Sequence, residues 1–377
     1  MKFSSNSPIL GMRPAPMLFL FALFAGPVQA GVGPPPPQTK TCANGSVIQV
    51  QQTCPATTAT PATQQGGVTA QTFTGLMTNI GQTIGNALGG SFGGGGGGTN
   101  VGALGLTRVA LSGDTGAAAA AGGSRWNTWL AYSQANIGYS FQPLQTSGDQ
   151  KLVLGGIDYA IVENVVLGVA LSDEKLRATT SFNGGSIKGS GNTIAPYLGW
   201  RINQNWALDA TLAWGNTNIN IVDYSIAGGT TGTNKDKRSL VSGGLAYNKL
   251  LGQWMLTGKG TLLTAQDKFS SFTTSRNQSV DATSTRTTQA RLLGQAMYNA
   301  GSFVPFFGVT YIYDLERPFQ NPVGGQSAAN DRDGWQLRAG VNFRSSGALY
   351  GGVQVTSEIG RSQVKNDQIL FNVGTRF

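Results

Sequence analysis

The chain has 377 residues and a formal charge of +9, from 26 basic and 17 acidic side chains, and it contains no histidine. Charged residues make up only 11% of it and glycine fills 55 positions, a composition unlike that of a soluble enzyme, where about 25% of residues are charged. No apolar run approaches the roughly 18 residues of a helical membrane span, so a multi-helix membrane protein is excluded as well.

The chain opens on an address signal. Lys2 and Arg13 precede an apolar run from Met17 to Ala25, and Val28-Gln29-Ala30 follows, the pattern of a secretory signal peptide cleaved after small residues. The run is too short to span a bilayer, which takes roughly 20 residues, and the prolines from Pro34 to Pro37 cannot continue a helix. Removal after Ala30 leaves a net charge of +7, because residues 1–30 hold no acid.

Export sets an oxidising compartment, in which Cys42 and Cys54 read as a local disulfide. Between them Asn44-Gly45 is a turn signal and Val47-Ile48-Gln49-Val50 has β character, which predicts a short hairpin closed by the bridge. Two thiols without histidine do not complete a tetrahedral metal site, so no metal and no cofactor is expected. Most of residues 31–123 is Pro, Thr, Gln, Gly and Ala with few aromatics, too little apolar surface to offset the entropy of ordering. Within that stretch Phe73, Met77, Ile80, Ile84 and Leu88 recur at helical spacing, so residues 72–88 read as an amphipathic helix. The alternative is a glycine-rich tether with fortuitous periodicity, since Gly75, Gly81 and Gly85 each disfavour a helix by up to about 1 kcal/mol. Gly93 to Gly98 then form a flexible connection.

From Trp126 onward the texture changes, and all seven tryptophans lie there. Apolar residues alternate with polar or small ones, as in Trp206, Leu208, Ala210, Leu212 and Trp214, and again in Trp335, Leu337, Ala339, Val341 and Phe343. Period two is the signature of strands with one greasy face. The same reading predicts strands at 126–136, 150–159, 165–174, 191–200, 206–217, 239–248, 253–265, 287–298, 303–314, 334–344, 348–358 and 367–377. They are twelve, an even number, centred on the 9–11 residues that cross a bilayer at a tilt. The fold class is therefore an all-β, twelve-stranded antiparallel transmembrane β-barrel behind a largely disordered N-terminal segment.

Short connections are expected near 160–164, 201–205, 249–252, 299–302 and 345–347, and long ones near 137–149, 175–190, 218–238, 266–286, 315–333 and 359–366. In outer-membrane barrels short turns face the periplasm and long loops face outward. Tyr159, Trp200, Trp206, Tyr247, Trp254, Tyr298, Phe303 and Phe343 all flank short turns, which reads as an aromatic girdle at the periplasmic interface. The basic residues read as scattered over loops and inward-facing positions with no cluster, which argues against nucleic acid. Lipopolysaccharide or an anion-attracting lumen suits the charge better.

The end of the chain is a sharp signal. Ile369, Phe371, Val373, Thr375 and Phe377 share one face and the sequence stops on an aromatic, which is similar to the C-terminal signal read by the outer-membrane barrel assembly machinery. Thr375 stands where a bulky apolar residue is usual. With the segments from Ile194 to Trp200 with Asn203 to Trp206, and from Phe303 to Gly308, residues 122–377 resemble the β-domains of type V secretion autotransporters. The resemblance implies a bacterial outer-membrane translocator and anchor. Its partners would be the Sec translocon, the assembly machinery and outer-membrane lipid including lipopolysaccharide, and the barrel would be a monomer. It further implies a helix at 72–88 standing in the pore, a linker through residue 121 and a passenger displayed at the cell surface. This chain departs from the family in its passenger, for residues 31–71 are all that remain, with no β-helical repeat, protease triad or lipase motif among them.

Catalysis has little to stand on. Without histidine the Ser/His and Asp/His arrangements are absent, and Asp173, Glu174, Asp314, Glu316, Asp331 and Asp333 read as carboxylates at loop bases, solvated or paired with lumen arginines such as Arg291 and Arg338. Gly184-Gly185 and Gly228-Gly229 lack the Lys-Ser/Thr of a phosphate loop and read as turns. The expectation is thus a translocator and anchor and not an enzyme. The competing expectation is a pore or structural barrel whose long loops make adhesive or ligand contacts.

Overall fold

The computed structural model describes residues 39–41, 47–49, 99–100 and 108–109, and from residue 125 to 377 all but 142–144, 163, 182, 225–227, 318–328 and 345–348. The signal peptide with its Ala30 cleavage site, Cys42 and Cys54, the 72–88 helix and the polyglycine run fall outside the described residues. On either side of Asn44-Gly45, Thr39–Thr41 pairs antiparallel with Val47–Gln49, at the place where the sequence predicts a hairpin. Thr99–Asn100 pairs in the same way with Arg108–Val109.

Twelve barrel strands follow, each antiparallel to its neighbours in the barrel: β1 Trp126–Tyr139, β2 Thr146–Val162, β3 Val165–Thr180, β4 Gly185–Arg201, β5 Trp206–Asp223 and β6 Thr230–Leu251. The second half is β7 Trp254–Phe269, β8 Thr283–Tyr298, β9 Phe303–Glu316, β10 Asp333–Arg344, β11 Tyr350–Ile359 and β12 Val364–Arg376. The ring is closed by β12 on β1, in register from Val364 opposite Tyr139 to Arg376 opposite Asn127. Trp126 and Phe377 complete the seam: the Trp126 amide donates to the Phe377 carbonyl at 3.3 Å and the Phe377 amide to the Trp126 carbonyl at 3.1 Å. Closure matters because an open edge would leave unpaired amides and carbonyls in hydrocarbon, at several kcal/mol each.

All twelve strands sit where the alternation predicts, and all but β11, which has 10 residues, are longer than expected, up to the 22 of β6. The expected long loops are correspondingly reduced. β3 and β4 are joined by residues 181–184 alone, and only 270–282 and 317–332 remain as extended outer connections. The reason is visible in β3, where burial still alternates through Glu174, Leu176, Ala178 and Thr180 while the outward residues turn from Val169 and Leu171 to Asp173, Lys175 and Arg177. The ladder continues beyond the hydrocarbon, and only the greasy outer face ends with it. The turns at Gly184, Gly228 and Gly229 have positive φ, which glycine adopts without strain.

Inside, apolar side chains gather in groups. One holds Trp129, Leu152, Leu154, Val166 and Tyr197, and a second, towards the outer end, holds Ile187, Ile219, Ile221 and Phe269. Glycines on the inner wall make room for large neighbours. A Cβ on Gly168 would lie 2.3 Å from the Tyr197 ring and one on Gly156 2.4 Å from the Trp129 ring.

Candidate functional site

The site of this fold is its wall, lipid-facing on one side and lumen-facing on the other. On the outer side, the aromatics that flank the short turns come together as cross-strand pairs. Trp126 opposes Tyr159 with ring centroids 4.8 Å apart, Trp206 opposes Tyr247 at 5.0 Å and Trp254 opposes Tyr298 at 5.0 Å. Phe303 pairs with Phe343, and Trp200 lies opposite Val165. Trp126 joins this row only because β1 pairs with β2, a contact that the alternation of one strand cannot reveal. A second row, which the sequence reading missed, includes Trp214 and the Tyr311–Trp335 pair at 5.0 Å. Trp206 to Trp214, Phe303 to Tyr311 and Trp335 to Phe343 are all eight residues apart. At about 3.3 Å per residue and a tilt of about 40° the two rows stand about 20 Å apart, close to the height of an outer-membrane apolar band. Ile369, Phe371, Val373, Thr375 and Phe377 share this outward face, with Phe371, Val373 and Phe377 exposed.

On the inner side the wall is polar. Arg238 of β6 forms an ion pair with Glu174 of β3, donates from Nε to Asp236 at 2.5 Å and stands 3.4 Å from Asp267 of β7. The Thr217 hydroxyl donates to Glu174 at 2.6 Å. Lys259 pairs with Asp209 at 2.7 Å. Near the short turns the Tyr197 hydroxyl donates to Asp158 at 2.8 Å and receives the Trp129 indole N–H at 2.9 Å, while Asn127 donates to the same carboxylate at 2.9 Å.

The carboxylates expected at loop bases separate by strand parity. Asp173 lies within β3 and faces out, exposed, whereas Glu174 is buried and faces in. Two further arginines take part: Glu174 pairs with Arg238 and Asp314 with Arg361 at 3.0 Å, while the charge of Arg291 also acts on Asp314 and Glu358. Arg291 donates to Gln289 at 3.0 Å and Arg338 to Thr310 at 3.1 Å. Glu316 accepts from Thr288 at 3.2 Å, and Asp333 stands exposed at the start of β10. At the outer rim Asp331 accepts from the Ser362 amide at 2.7 Å and from its hydroxyl at 2.5 Å. Partial burial alone would raise the Asp331 pKa, but the hydrogen bonds from Ser362 and Gln363 and the charge of Arg317 outweigh it and hold the carboxyl below its usual value. Burial disfavours the charge on Arg361, yet Glu358 and Asp314 more than compensate and raise its pKa.

Among the described side chains the inner wall does not favour anions. Among the described side chains, inward strand positions carry eight carboxylates, namely Asp158, Glu174, Asp209, Asp223, Asp236, Asp267, Asp314 and Glu358, against five cations, Arg201, Arg238, Lys259, Arg291 and Arg338. The excess of positive charge lies elsewhere. Sequence reasoning left out Arg238 because it began that strand at residue 239. The Asp236, Arg238, Leu240 alternation was the signal that could have found it.

A sequence profile of the autotransporter β-domain family matches residues 144–356, more than half of the chain. Curated protein sequences give no match. Among solved structures, the translocator domain of the autotransporter NalP from Neisseria meningitidis is similar at 14% identity and a TM-score of 0.59, over 67% of this chain and 89% of that one. The β-domain of the Bordetella autotransporter BrkA aligns at 13% identity and a TM-score of 0.56, over 67% and 100%. The transport unit of AIDA-I from Escherichia coli gives 11% identity and a TM-score of 0.54, over 67% and 90%. At such identities the likeness is one of fold.

Proposed function

The chain belongs to the autotransporter β-domain family, outer-membrane barrels with a translocator role, and we propose that it displays its own short N-terminal segment, residues 31–71, at the cell surface. The observation that carries this reading is the seam. Trp126 and Phe377 meet at the end of the barrel where the short turns lie, so the chain enters β1 from the side that faces the periplasm in such barrels. A segment preceding β1 reaches the outside by way of the lumen, whose inner wall offers hydrogen-bonding groups to a passing backbone.

In this reading the Sec translocon exports the chain and residues 1–30 are removed after Ala30. The assembly machinery then inserts the barrel through the strand ending at Phe377. Residues 72–121 tether the displayed segment through the pore, Cys42 and Cys54 close its tip as a disulfide, and the barrel works as a monomer, in anchoring and transport and not in catalysis. An epitope tag beside Thr58, probed on intact cells with and without reductant, tests it. Surface reactivity is expected, and a tag reached only after the outer membrane is permeabilised refutes the display.

The polar inner wall also suits a second reading, an open pore. That reading requires conductance in planar bilayers once residues 31–121 are deleted.

A further inference from the structure

Among the described residues the excess of positive charge is on the outer wall. Register puts Lys151 of β2 directly opposite Lys175 of β3, Arg177 of β3 opposite Lys188 of β4, and Lys237 of β6 opposite Lys268 of β7. All six side chains are exposed, and none forms an ion pair among the described residues. Like charges directly opposite each other destabilise a sheet, and here the arrangement occurs three times along one arc. Lys235 and Arg286 extend the same arc on β6 and β8. Asp149 of β2 stands opposite Arg177 and Asp173 shares the outward face of β3, so the arc carries two acids against eight cations; between the second and third pairs Ser190, Asn216 and Asn218 supply outward hydrogen-bonding groups and no acid. The opposite arc differs: at the same height β9 to β11 present Tyr313, Leu315, Trp335 and Ile359, and Lys365 of β12 is paired with Asp367 at 3.2 Å.

Height selects the partner. The arc begins eight residues above the lower aromatic row at Lys151, counted from Tyr159, and rises to fourteen at Lys268, counted from Trp254. With the same rise and tilt it spans about 20 to 35 Å above that row, from the edge of the apolar band outward. A ligand here meets cations and amides at its head and, on the same strands, bare Val153, Leu171, Leu212 and Val241 below. A soluble anion uses only the first half of such a surface. We propose that the arc from β2 to β8 is a docking surface for a multiply phosphorylated glycolipid of the outer leaflet, with its phosphates bridging the like-charged pairs and its acyl chains lying along the strands beneath. The proposal is independent of what passes through the lumen.

The test uses the full-length protein in phosphatidylcholine vesicles and follows the melting temperature by circular dichroism. Four additions are compared: bisphosphorylated lipid A, the same lipid with its phosphates removed, phosphatidylglycerol at equal charge, and inorganic pyrophosphate. Bisphosphorylated lipid A should raise the melting temperature most, and the dephosphorylated lipid and pyrophosphate should leave it near its starting value. A combined Lys175→Gln, Arg177→Gln, Lys188→Gln, Lys237→Gln and Lys268→Gln variant should lose most of that gain, and the matching set with Lys→Arg changes should keep it. Removing Lys249 and Lys365 instead, which lie off the arc, should change nothing. An equal gain from phosphatidylglycerol or pyrophosphate, or a glutamine variant that keeps the whole gain, overturns the proposal. Should the glutamine variant fail to assemble, the four additions to the unaltered protein decide.

Discussion

Replacing Arg238 by methionine probes whether the inner wall behaves as a buried polar layer. The guanidinium is only 4% exposed and faces three carboxylates, of Glu174, Asp236 and Asp267, whose side chains are 5%, 0% and 2% exposed. Methionine fills much of the volume and removes the only cation within reach of those groups among the described ion pairs. Breaking a buried ion pair from one side costs about 3–5 kcal/mol, because the remaining charges keep their desolvation and lose their partner. For a domain of this size each kcal/mol moves the midpoint by about 2–4 °C, so Arg238→Met should melt on the order of 10 °C lower in detergent at neutral pH. The deficit should shrink under acid, where protonation relieves the repulsion. Adding Glu174→Gln should recover part of the loss, and that coupling makes a double-mutant cycle informative. A variant that melts within about 2 °C of the parent at every pH would mean that water in the lumen screens the cluster.

Two further outcomes follow from the inner wall and the rim. Gly168→Leu should destabilise the barrel by about 2 kcal/mol or more, since its Cβ would fall 2.3 Å from the Tyr197 ring and displace the hydroxyl that donates to Asp158; an unchanged urea midpoint would show that the ring has room to move. Asp331 holds a depressed pKa, so what it contributes to the rim is complete above its ordinary value of 3.8 and is lost as pH falls through the lower value it has in the fold. Spin labels at Asn330 and Lys365 should therefore move apart only in strong acid, and Asp331→Asn should produce that separation at neutral pH; a distance independent of both would show that the bonds from Ser362 to Asp331 do not hold the two connections together.

Much of this fold is readable one strand at a time. Trp206, Leu208, Ala210, Leu212 and Trp214 alternate because lipid lies on one side of β5 only, and the same rule locates all twelve strands. The upper parts of the strands escape such reading because, beyond the hydrocarbon, water replaces lipid outside. Lys175 and Arg177 are then as acceptable on the outer face as Leu171 was lower down, and the contrast that marks a strand disappears while the ladder persists. Asp173 and Glu174 show the same limit: neighbours in sequence, they end on opposite sides of the wall.

The chain by itself therefore determined a closed β-barrel with lipid outside, because hydrocarbon tolerates only one pattern of side chains and no unpaired backbone. Which cation meets which carboxylate, and that lysines distant in sequence stand face to face on the outer wall, was decided by tertiary structure alone. Those relations depend on the pairing register between strands, and each strand's sequence carries only the parity of its own faces.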